Sequence, residues 1–237
     1  MSWQSLLTAA HAWRVNPGDL PSTALEKQCL GWLTTDERAL HRKFKTPDLR
    51  HLYLVSRALC RATLSKYTGV APADWKFLAG QHGKPAIASP PGFSALRFNM
   101  THTAGLVICL VTRAGELGVD AEETSPRDDV EQVARHFFSK SERVALASLP
   151  PRKRATRFFE QWVLKEAYLK GRGKGLFVSP ETFTIELDKK GRPSPIGKWQ
   201  LTLHHLGHKH VAATAVRPRR GNAPIPIVWF SLKSFSV

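Results

Sequence analysis

The chain has 237 residues, 42% hydrophobic and 23% charged, with 35 Lys and Arg against 19 Asp and Glu and a formal net charge of +16. No apolar run approaches the ~20 residues that cross a bilayer, and the three widely spaced cysteines, Cys29, Cys60 and Cys109, suggest buried free thiols rather than a disulfide framework or a zinc site. The opening MSWQSLLTAAHAW lacks the basic and long apolar regions of a signal peptide, so a soluble cytoplasmic protein is expected. The positive surface attracts anions (nucleic acid, an anionic membrane, an acidic protein or a phosphorylated ligand), and the plain alternative is a solvated basic surface with no specific partner.

In chain order, residues 9–15 read as a first strand. LTTDERALHRKF (33–44) reads as a helix with Thr35 or Asp36 near its cap. A second helix is expected from about Leu49 to Tyr67, with Leu52, Val55, Leu59 and Leu64 at helical spacing and Gly69 after its end. A short strand over 75–78 and a QHGKP turn (81–85) follow, then strands over 96–103 and 106–112, a hairpin turn at Arg113 to Glu116, and a strand over 117–123. FFSKSERVALASL (137–149) reads as a helix with Ser139 and Glu142 in capping-box spacing. RKRATRFFEQWVLKEAYLKGRG is a long amphipathic helix ending near Gly171 or Gly173, and FTIELD, WQLTLHHL, HVAATAV and IPIVWFSL are late strands. Strand, helices, strands, repeated, predicts two α+β units, residues 1–117 and 118–237, with a cleft between them as a natural ligand site.

Asp120 and Glu122 lie two apart on a strand and so face one way. Repulsion between them is relieved by a hard divalent cation with oxygen ligands. Alone, the pair also fits a strand end exposing two acids to water. On the long helix, Phe159, Val163, Glu166 and Lys170 fall on one stripe, so Glu166 interrupts an apolar face. A buried carboxylate is costly unless paired or metal-bound; a surface Glu–Lys pair at i, i+4 is the plain alternative. Together, Asp120, Glu122 and Glu166 point to one magnesium site for phosphoryl-group transfer. Lys45, Arg57, Lys84, Thr101, His102, Lys165 and Lys170 supply the cations and donors that phosphate oxygens need. Gly171-Arg-Gly-Lys-Gly175 follows a helix and is no phosphate loop. His204, His205, His208 and His210 lack acidic neighbours in sequence and fit solvated strands and a turn. Arg217-Pro-Arg-Arg220 reads as a basic surface loop.

In order, LTTDERALHRKF, RALCRATL, GKP, FNMTHT, GVDAE, FFSKSE and WVLKEAYLKGRGKGL resemble the Sfp-type 4′-phosphopantetheinyl transferases over roughly residues 30–180. GVDAE and WVLKEAYLK at this separation are the specific pieces; the family's usual N-x-S-H reads here as Asn99-Met100-Thr101-His102, which keeps a hydroxyl. The resemblance implies two similar α+β halves related by a pseudo-twofold axis in a monomer. It implies coenzyme A with Mg²⁺ in the cleft, and transfer of the phosphopantetheine arm to a serine of an apo acyl or peptidyl carrier protein, releasing adenosine 3′,5′-bisphosphate. Asp120, Glu122 and Glu166 would bind the metal. His102 and Lys170 would contact the pyrophosphate, with Thr101 nearby, and Arg57, Lys84 and Lys45 would bind coenzyme A phosphates. Glu166 is the expected base for the serine proton, directly or through a metal-bound water, and Glu142 a residue that helps align or bind the carrier. Acidic carriers would meet a basic surface quickly. Two other readings are a nucleic-acid-binding module, which leaves the three acids without a purpose, and a coenzyme A binder without catalysis. Membrane binding is not expected.

Overall fold

A computed structural model describes residues 1–80, 84–125, 129–173, 178–221 and 223–235. The chain forms two compact α+β units. Unit 1 holds residues up to Gly80, Pro85–Ala114 and the segment from Pro226 on; unit 2 holds Lys84 and Gly115–Ile225. Among the described residues no helix is long and apolar enough to cross a membrane.

In unit 1, β1 (Ala10–Val15) is followed by α1 (Ser22–Cys29) and α2 (Thr35–Lys43). Thr34 caps α2: its hydroxyl accepts from the Glu37 amide, and the Glu37 carboxylate accepts from the Thr34 amide. The cap thus sits one residue ahead of the expected Thr35 or Asp36. The 22-residue α3 (Pro47–Thr68) starts at a proline that needs no N–H and stops at Gly69, whose φ of +73° is left-handed. After β2 (Lys76–Ala79) and β3 (Pro85–Ser89), which pair antiparallel, β4 (Arg97–Thr103) and β5 (Leu106–Thr112) form a hairpin. The main sheet runs β4-β5-β1-β9, with β9 (Ile227–Ser231) parallel to β1. The core lies where Leu54, Ala58 and Leu59 of α3 meet Trp13, Val107 and Cys109 of the sheet. All three cysteines are free and buried, and burial pushes the Cys29 thiol up to about 12.

In unit 2, β6 (Gly115–Glu123) pairs antiparallel with β8 (His210–Pro218), which pairs with β7 (Gln200–Leu206). The helices are α4 (Val130–Phe137), α5 (Lys140–Ala147) and the 22-residue α6 (Pro151–Arg172). The expected capping box forms at Ser139 and Glu142, and Gly173, φ +63°, ends α6. Phe159, Val163 and Ala167 of α6 pack on Val211, Ala213 and Ala215 of β8.

Three expectations are corrected. The Arg113 to Glu116 segment makes no hairpin, because β5 and β6 belong to different sheets. Gly115 opens the long segment of unit 2, and the last strand returns to unit 1, a parallel pairing that no local pattern announces. FTIELD is not a strand: the Ile185 N–H donates to Glu142 and the Phe183 carbonyl accepts from Lys165, so buried side chains take the backbone bonds a ladder would use. The stretch before Phe137 contains α4, hidden by its polar surroundings. Gln81, His82 and Gly83 of the QHGKP turn, and Lys174 and Gly175 of the glycine-rich stretch, lie outside the described residues.

Candidate active site

The predicted site residues fall into a group in each unit. In unit 2, the site rests on the crossing of β6 and α6. The two backbones touch at Gly118, where a Cβ would overlap the Ala167 carbonyl oxygen and the Gly171 nitrogen. Only glycine allows that approach. Two residues on, Asp120 is buried, and its Oδ1 accepts from the Lys170 Nζ of α6 at 2.6 Å. Glu122, on the same face of β6, and Glu166, one turn before Lys170, are half-buried.

Both glutamates are held above the ordinary carboxylate value. Burial is the larger cause and the Asp120 charge the next, while Lys170 pulls both back. A hydrogen bond with Trp162 also lowers Glu122, and Glu166 repels it weakly. The three carboxylates therefore feel one another. Among the described residues, no three His, Cys, Asp or Glu side chains are gathered tightly enough to stand as a formed metal-holding group. The Lys170 ammonium provides the positive charge against Asp120. Buried, mutually repelling carboxylate oxygens are nevertheless the donor set a hard divalent cation takes. Trp162 was missed in the sequence. It stands one helical turn before Glu166, a spacing that gave the signal.

In unit 1, Arg57 of α3 and His102 of β4 line a cavity of about 260 Å³ with Phe44, Tyr53 and Met100. The Arg57 guanidinium lies 5.0 Å from the Tyr53 ring centroid, a turn away on α3, and 3.8 Å from Glu37. His102 is exposed, as a phosphate contact requires; Thr101 is buried and does not line the cavity. Lys45 is exposed between α2 and α3, next to the lining residue Phe44.

Lys165 and Glu142 stand apart from these groups, and Lys84 meets the β6–α6 crossing through main-chain carbonyls rather than through the acids. Lys165 is 2% exposed; its ammonium pairs with Glu142 at 2.8 Å and donates to the Pro180 and Phe183 carbonyls. Burial lowers its pKa and Glu142 opposes that. Such a lysine braces α6 from inside and has no exposed face for a phosphate. Glu142 is consumed in the same way, accepting from the Ser139 and Ile185 amides and from Gln161 besides Lys165. The Lys84 Nζ donates to the Leu117 carbonyl at 2.9 Å and the Gly171 carbonyl at 3.0 Å. Of the four late histidines, His205 does gain an acidic partner, Glu160 at 3.0 Å, because α6 brings it there. His204 bonds to Thr214, and burial together with His205 lowers it to about 4.

The model of the 4′-phosphopantetheinyl transferase superfamily matches residues 116–216, the stretch that holds Asp120, Glu122, Glu166 and Lys170. The chain is 36% identical over 166 residues to the 4′-phosphopantetheinyl transferase HetI of Nostoc sp., which spans 70% of this chain and 69% of that protein. It is 28% identical over 165 residues to the 4′-phosphopantetheinyl transferase Sfp of Bacillus subtilis, spanning 70% and 71%. A phosphopantetheinyl transferase of Thraustochytrium sp. is 27% identical over 253 residues, spanning 97% of this chain and 86% of that one. Gly118 to Glu122 on β6 and Trp162 to Lys170 on α6, the two motifs whose side chains meet in unit 2, lie inside the matched stretch, and the chain belongs to the 4′-phosphopantetheinyl transferase superfamily as an enzyme of the Sfp type.

Proposed function

We propose that this enzyme moves the phosphopantetheine arm of coenzyme A to a serine hydroxyl of apo acyl or peptidyl carrier proteins, with magnesium held by Asp120, Glu122 and Glu166. The observation that carries the reading is the meeting of these acids with Lys170 across the β6–α6 crossing. When bound, magnesium supplies neutralising charge to the phosphoanhydride. The chain's own residues do the rest. Arg57 and His102, which share a cavity, take coenzyme A phosphates, with Lys45 beside them and Thr101 supporting the strand end. Lys170 offsets charge on the pyrophosphate. Glu166 accepts the proton of the attacking serine. The serine oxygen bonds to the phosphorus that carries the pantetheine arm, and adenosine 3′,5′-bisphosphate leaves. The net charge of +16 speeds encounter with acidic carriers and makes it salt-sensitive. The enzyme acts as a cytoplasmic monomer.

The test is the mass of a panel of apo carriers (from fatty acid, polyketide and nonribosomal peptide systems) after incubation with coenzyme A and magnesium. A phosphopantetheine mass gain is expected on at least one. A folded preparation that labels none would count against the reading.

A further inference from the structure

We propose that Lys84 is a positioning residue, a cationic staple that sets α6 on β6 and thereby the spacing of Glu166 and Lys170 against Asp120 and Glu122, instead of the coenzyme A phosphate contact expected from the sequence. This rests on the reading of those acids as the metal site.

Lys84 reaches both backbones at the point where they touch. Its ammonium donates to Leu117 O on β6, three residues before Asp120, and to Gly171 O on α6, the residue after Lys170. Each carbonyl needs an outside partner for a reason of its own. The last four carbonyls of a helix have no intrahelical donor and carry the negative end of its dipole, which favours a cation there. β6 is the edge strand of its sheet among the described residues, so the carbonyls on its outer side lack a ladder. Two of the three N–H donors of the ammonium are thus committed to main chain. The lysine stem is engaged as well. A Cβ at Gly173, the left-handed cap of α6, would come within 3.3 Å of the Lys84 Cδ, so the stem lies over the helix end.

The staple, the Gly118 contact and the Lys170–Asp120 pair all cross one seam, within a few residues of each other along both elements. Gly118 removes the steric block to close approach but holds nothing by itself. The Lys170–Asp120 pair would have to loosen when a divalent cation takes Asp120. Lys84 donates to carbonyls that no metal would claim, so its hold persists when the acids change partners.

The experiment compares the intact wild-type enzyme with Lys84→Met, which keeps the stem and loses the donors, and Lys84→Arg, which keeps the charge and changes the donor geometry. Three readouts are taken: the rise in melting temperature on adding magnesium chloride, the magnesium concentration for half-maximal transfer, and coenzyme A binding by calorimetry without metal. For Lys84→Met the thermal response to magnesium should shrink and half-saturation rise about tenfold, the usual cost of losing support behind metal ligands. Coenzyme A affinity should change less than about twofold. Lys84→Arg should show the same magnesium defect in weaker form, and it decides the matter if Lys84→Met does not fold. A drop of tenfold or more in coenzyme A affinity with an unaltered magnesium response would return Lys84 to phosphate binding and overturn the staple. A wild type whose melting temperature ignores magnesium would sink the metal-site reading and the staple with it; a wild type that responds beside variants that respond equally would sink the staple alone.

Discussion

The two units share a plan and differ in what they expose. Each has a short helix opened by a capping box, then a 22-residue helix that begins at proline and ends at a left-handed glycine. In each, the capping glutamate also holds a buried cation from the long helix: Glu37 takes Arg61 at 2.6 Å and Glu142 takes Lys165 at 2.8 Å. The surroundings of the two pairs diverge. Glu142 is enclosed by four donors, whereas Glu37 keeps a looser neighbour in Arg57, whose side chain also lines the cavity. Unit 1 therefore presents cations and unit 2 presents acids from equivalent architecture. The brace and the proposed chemistry are separable: the buried cation serves the fold, and the residue proposed for the site stands one or four positions away on the same helix.

The sharpest way to break this contrast is at the site residues. Glu166→Ala and Asp120→Ala should each lower turnover by about 10²–10³ with folding retained, as expected when charge stabilisation at the reacting centre is removed. Arg57→Ala should act mainly on KM for coenzyme A, by about tenfold, the worth of one charge-assisted hydrogen bond. Steady-state kinetics with a carrier that labels checks both, and full activity in either acid variant would overturn the assignment.

Next come the braces. Lys165→Met leaves the enclosed Glu142 without its cation and should cost about 3–5 kcal/mol in urea unfolding. Arg61→Met should cost less, because Glu37 is more open and retains Arg57 nearby. Equal losses would show that the two pairs are energetically alike despite their different burial.

The acids of unit 2 also predict a pH effect. Folding raises the Glu122 and Glu166 pKa above the ordinary carboxylate value of 4.5. The folded protein then binds those protons more tightly than the unfolded chain. Stability of the metal-free enzyme should fall as pH climbs from the ordinary carboxylate value to the raised one, and level off above it. Magnesium should restore most of that loss, so the gain in melting temperature is expected to be larger at about pH 7.5 than at about pH 5. An equal gain at both would remove the acids from the explanation. The smallest effect is at the caps: Thr34→Ala and Ser139→Ala should each cost about 1 kcal/mol, and a clear excess at Ser139 would mark the tighter network around Glu142.

Much of this is legible in the sequence alone. Helical spacing and terminal glycines gave α3 and α6, the Ser-x-x-Glu spacing gave the cap of α5, and the alternation on β6 put Asp120 and Glu122 on one face, because each depends only on residues close in sequence. The same local logic ranked Lys84 and Lys165 with Arg57 as phosphate ligands, since a lysine's sequence neighbours do not say which way a four-carbon stem turns. Tertiary structure decided that. It buried Lys165 against Glu142, set the Lys84 ammonium on two main-chain carbonyls, gave His205 an acidic partner, sent β9 back to pair with β1, and used Gly118 to bring a strand into backbone contact with a helix. Those outcomes come from groups far apart in the chain satisfying buried charges and hydrogen-bond donors together, a condition that exists only once the elements have packed.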